Sequence, residues 1–76
     1  MKSDVSVDCK GMNCPMPLVE TRKALKKMKE GEILEVEGDH MVSKKEIPMA
    51  MDMLGNEVIE IKEERNSWKI WIKKVA

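Results

Sequence analysis

Cys14 is followed by Pro15 and, two residues further on, by Pro17. Proline is favoured in the first turn of a helix, where its missing N–H has no partner to lose. The stretch from Leu18 to Met28 carries apolar residues at helical spacing. Cys14 therefore falls at a predicted N-cap, with free N–H groups and the positive end of the helix dipole facing its sulfur. That setting favours thiolate over thiol, and thiolate is the nucleophile. Cysteine is not among the residues usually chosen to cap a helix, so its placement here points to thiol-exchange chemistry on an activated sulfur. Two prolines in three residues stiffen the approach and fix where the sulfur points. Pro17, at the third helical position, is tolerated because its N–H would still be unpaired.

The remaining candidates are weaker. Cys9 shares the alternation of Val5 and Val7 and reads as a small buried hydrophobe, with a resolving thiol for Cys14 as the alternative. His40 follows the second predicted strand, on the same rim as the helix start. A metal site of Cys9, Cys14 and His40 lacks a fourth ligand and any paired-cysteine spacing, so neither a metal nor a cofactor is expected. Asp8 and Asp39 are turn-type residues suited to local backbone hydrogen bonds. Arg22 and Lys23 lie two turns beyond Cys14, as surface charges and as a basic rim that attracts an acidic partner and slightly favours a thiolate. There is no Ser/His/Asp arrangement, no glycine loop for phosphate and no paired-carboxylate site.

Six elements must position these residues. Val5, Val7 and Cys9 alternate with Ser6 and Asp8, predicting a strand over 4–9. A helix over 15–29 presents Leu18, Thr21, Ala24, Leu25 and Met28 on one side and ends at Gly31. A second strand covers 33–37. Ser43 and Glu46 match a capping box, with Pro48 in or just past the first turn, Met49, Met53 and Leu54 as apolar positions and Gly55 as C-cap. Strands over 58–62 and 68–73 flank a hairpin turn at 64–67. The order β-α-β-α-β-β predicts a two-layer α/β sandwich: a mixed four-stranded sheet, two helices on one face, and a right-handed crossover in the first unit. Strand parity sets Ser6, Asp8, Glu35, Glu37, Val58, Glu60, Lys62, Lys69, Trp71 and Lys73 on the open face. Trp71 either packs over lysine stems there or meets a partner.

The chain of 76 residues reads as one domain over 1–76, with a small core. Fourteen basic and fourteen acidic side chains cancel, which argues against a nucleic-acid binder, although a small RNA-binding or regulatory module remains the alternative reading for this layout. No apolar run is long enough to span a bilayer, and no signal segment opens the sequence, so a cytoplasmic location is expected. Two cysteines in that reducing compartment read as free or catalytic. Phe and Tyr are absent while Met occurs eight times, so methionine is expected to fill the core.

The stretch Val7-Asp8-Cys9-Lys10-Gly11-Met12-Asn13-Cys14-Pro15-Met16-Pro17 resembles the signature of the TusA-like (SirA-like) sulfur-carrier family. The resemblance continues through Arg22-Lys23, Gly31-Glu32, Asp39, Ser43, Ile47-Pro48 and Gly55, covering essentially the whole chain. It implies the same two-layer fold. It also implies that Cys14 carries sulfur as a persulfide, with Pro15, Pro17, Asp8, Gly11, Arg22 and Asp39 as supporting motif residues. The implied partners are a cysteine desulfurase or other sulfur donor and a downstream sulfur-acceptor protein, in tRNA thiolation, cofactor biosynthesis or sulfur metabolism. Met16 departs from members that carry an acidic residue between the two prolines, which bears on partner identity rather than on the chemistry.

Overall fold

The computed structural model describes residues 3–13 and 16–75. Cys14 and Pro15 lie outside the described residues, and the N-cap and first-turn positions expected of them lie outside with them. The described residues form β1 (Val5–Asp8), α1 (Met16–Lys27), β2 (Ile33–Gly38), α2 (Met41–Leu54), β3 (Glu57–Glu63) and β4 (Trp68–Lys73). The sheet order is β1-β2-β4-β3. β1 runs parallel to β2, and β4 is antiparallel to both of its neighbours. The helices pack on one face and form the second layer, as the element order predicts.

In α1 the buried positions Pro17, Thr21, Leu25 and Met28 follow helical spacing. Thr21 is fully buried because its hydroxyl donates to the Pro17 carbonyl at 2.7 Å, which removes the cost of an unpaired polar group. The helix stops at Lys27, two residues earlier than expected. Lys74 closes this end, its ammonium donating to the carbonyls of Leu25 and, at 2.9 Å, Met28. A cation on the last carbonyls also suits the helix dipole.

α2 starts earlier than the sequence suggests. Its N-cap is His40, and Ser43 lies inside the first turn, buried, with its hydroxyl 3.0 Å from His40 Nδ1. The expected capping box is therefore absent. The cause is Trp68, whose indole N–H donates to the His40 carbonyl at 3.0 Å and anchors the helix start there. This register buries Ser43, Ile47 and Met51 at steps of four, while Met49, Met53 and Leu54 are exposed, contrary to expectation. Pro48 falls in the second turn and removes one helical hydrogen bond. Gly55 ends α2 at φ +84°, with the Gly55 and Asn56 N–H groups donating to the Asp52 and Met51 carbonyls, the pattern of a Schellman motif.

The core gathers Cys9, Leu25, Met28, Leu34, Val36, Ile47, Met51, Trp68, Ile70 and Ile72. Methionine is only a minor filler, because Met16, Met41, Met49 and Met53 are exposed. A bulge between Val58 and Glu60 shifts the register of β3, pairing Val58 with Ile72 and packing it against the core. Strict alternation puts Val58 on the open face; the extra residue reverses that parity. Trp71 pairs with Glu35 and Glu60 on the open face, as expected, yet is only 5% exposed, and its indole N–H has no partner among the described residues.

Candidate functional site

Because β1 and β2 are parallel, their C-terminal ends share one rim, and α1 and α2 both begin beside it. The Cys9 N–H extends the ladder by donating to the Glu37 carbonyl at 2.6 Å. The chain then turns back. Lys10 N–H donates to Asp8 Oδ1 at 3.0 Å, and Met12 N–H to the Cys9 carbonyl at 3.1 Å. Gly11 takes φ +84°, a conformation that side chains rarely adopt. Its N–H donates to Asp39 across the rim, with the two carboxylate oxygens at 3.1 and 3.2 Å. Asn13 and Met16, on either side of Cys14 and Pro15, are joined by a bond from the Met16 N–H to the Asn13 carbonyl at 2.8 Å. Neither helix carries an acidic residue in its first turn.

Of the residues singled out from sequence, Asp8, Gly11 and Asp39 come together in this turn, and Pro17 lies buried at the second position of α1. Pro17 is therefore a buried packing residue of α1. Arg22 is not part of the turn. It lies further along α1, exposed, where Leu18, Ala50, Met53 and Leu54 line a shallow groove between the helices. Lys26 and Lys74 continue the basic side of that groove. His40 has its ring held by Ser43 and its carbonyl by Trp68. No group of three or more His, Cys, Asp and Glu among the described residues is placed to hold a metal.

Cys9 is fully buried, and its thiol is pushed up to about 11, by burial first and then by the negative charges of Glu20 and Asp8. At neutral pH it is a protonated core side chain, the first of the two readings above. Two links were not read from the sequence. The sequence suggests a local turn role for Asp39, whereas it reaches 28 residues back to Gly11; the parallel pairing of two strands, each followed by a turn, is the signal that places them together. The bond from the Trp68 indole N–H to the His40 carbonyl is the second, since a partner so distant in sequence leaves no trace in periodicity.

A family model described as sulfurtransferase TusA matches residues 5–74. A Thermotoga maritima relative, provisionally named a sulfur carrier protein, is 52% identical over 69 residues, 90% of this chain and 87% of its own. The sulfur carrier protein TusA of Allochromatium vinosum is 35% identical over 71 residues, 93% of each chain. The crystal structure of the SirA-like protein from Desulfitobacterium hafniense is similar with a TM-score of 0.81, covering 95% of this chain and 99% of that one. At 19% identity that last likeness concerns the fold alone. The family match spans nearly all of the chain, both sides of Cys14 and the turn that Asp39 closes, and the chain belongs to the sulfurtransferase TusA family.

Proposed function

We propose that the protein is a sulfur carrier that takes up sulfur as a persulfide on Cys14 and passes it to a second protein. The observation that carries this reading is the family match over residues 5–74, a span whose sequence includes Cys14-Pro15-Met16-Pro17. In the first step the Cys14 thiolate attacks the outer sulfur of a donor persulfide. A sulfur–sulfur bond forms on Cys14 as the donor's sulfur–sulfur bond breaks, and the donor leaves as a thiolate. In the second step an acceptor thiolate attacks the outer sulfur and Cys14 leaves as its own thiolate. No external oxidant or reductant is consumed. A cysteine desulfurase suits the donor role and a cysteine-bearing acceptor the second. The cytoplasm suits both as a reducing compartment.

Arg22 and Lys26, beside the apolar groove, suit an acidic surface on the donor. No helix among the described residues is long and apolar enough to cross a membrane. The test is incubation with a cysteine desulfurase, its coenzyme and cysteine, followed by intact mass measurement. One added sulfur is expected on the wild type and on Cys9→Ser, and none on Cys14→Ser. Sulfur found only on Cys9 overturns the assignment.

A further inference from the structure

We infer that Asp39 is a positioning residue for sulfur transfer: by holding the Gly11 N–H it fixes the turn from which the chain runs on to Cys14. The inference rests on the carrier reading above. Asp39 is itself held from behind on both sides. Before it, Gly38 lies so close to Trp68 that a Cβ there would sit 2.6 Å from the indole ring. After it, the His40 carbonyl accepts the Trp68 indole N–H at 3.0 Å, and the His40 ring meets Ser43. A continuous set of contacts therefore runs from the core at Trp68, through Gly38 and His40, to the Asp39 carboxylate. It ends on Gly11, three residues before Cys14. At Gly11 a Cβ would meet nothing within 4 Å. Glycine is therefore present for its backbone conformation, which aims the N–H at Asp39, and not for lack of room.

Asp39 and Gly11 are both exposed, so water competes for this bond and its contribution to stability is small. Its effect is directional. Transfer between two proteins needs the attacking and leaving sulfurs in line, and a displacement of about 1 Å can cost on the order of 10²-fold in rate.

Asp39→Ala and Asp39→Asn separate position from charge. Both remove the negative charge, but only asparagine keeps an acceptor for the Gly11 N–H. In single-turnover transfer from loaded protein to a cysteine-bearing acceptor, Asp39→Ala is expected to slow by roughly 10-fold or more, and Asp39→Asn to stay within about 3-fold of wild type. The pH profile of Cys14 alkylation by iodoacetamide is the second readout. Its midpoint is expected to be higher in Asp39→Ala than in Asp39→Asn, a difference that charge cannot produce. Equal transfer rates and equal midpoints in the two variants overturn the inference. So does a fall of more than about 10 °C in the unfolding midpoint of Asp39→Ala, which would make the residue structural. If the wild type takes up no sulfur, the carrier reading fails, while the alkylation profiles still decide the role of Asp39.

Discussion

Cys9 has the environment of a structural thiol and not of a nucleophile. Cys9 is sealed in the core with its thiol raised from 9.0 to about 11. Alkylation of the native protein near neutral pH is therefore expected to label Cys14 alone, and denaturant to release Cys9; mass spectrometry of the digested protein reads this directly. The same shift predicts a stability trend. An acid raised in the folded state stays protonated while its unfolded counterpart ionises, so stability is full below about pH 9 and falls as pH rises toward 11. The loss is of order 1–3 kcal/mol. Urea titrations across that range should show this component in the wild type and not in Cys9→Ala. The two tryptophans also differ. Trp71→Phe removes an unpaired indole N–H and is expected to be neutral or slightly stabilising. Trp68→Phe loses the bond to His40 and core volume, and should cost about 2–4 kcal/mol in urea unfolding.

At the scale of elements, the ends carry the information. α1 finishes where Lys74 covers the Leu25 and Met28 carbonyls. Lys74→Met keeps most of the stem and deletes the donor, and is expected to cost about 1–2 kcal/mol by thermal unfolding. Amide exchange should quicken in the last turn of α1 before it does elsewhere. Sequence periodicity located β4 to the residue, because Trp68, Ile70 and Ile72 alternate against charged neighbours. It misplaced the start of α2 because Ser43 and Glu46 imitate a capping box, while the anchor is a tryptophan distant in sequence. It also misassigned Val58, since a bulge is one extra residue with no marker of its own. The turn residues Asp8, Gly11 and Asp39 were legible one by one. That Asp39 and Gly11 bond each other depends on strand pairing, which local patterns do not encode.

For the molecule as a whole, element order was enough to predict two layers and a mixed sheet, though not the order of its strands. A strand-helix-strand unit followed by a helix and a hairpin leaves few ways to cover a sheet, and the mixed order β1-β2-β4-β3 is the one adopted. With one core shared by both helices and all four strands, unfolding should be a single transition. Tryptophan fluorescence and far-UV circular dichroism should coincide in urea, with a stability of roughly 4–11 kcal/mol; separated curves would mean that the hairpin or a helix comes away on its own. The basic side of α1 acts at this scale too. Arg22→Glu should leave the unfolding midpoint within a few degrees of wild type and slow sulfur uptake from a desulfurase with an acidic docking surface. Added salt should slow the wild type and narrow the gap between the two proteins.

The uneven exposure of the methionines has a practical consequence for the chemistry. Met53 is 87% exposed and Met49 67%, whereas Met51, between them, is fully buried. Peroxide reaches thioethers by access, so the outward methionines of α2, Met41, Met49 and Met53, should become sulfoxides while Met51 and the fold survive. Two added oxygens weigh almost the same as one added sulfur. A preparation exposed to air could thus register in an intact mass as though it had been loaded with cargo. A thiol reductant distinguishes the two, because it strips the outer sulfur from a persulfide and leaves a sulfoxide in place.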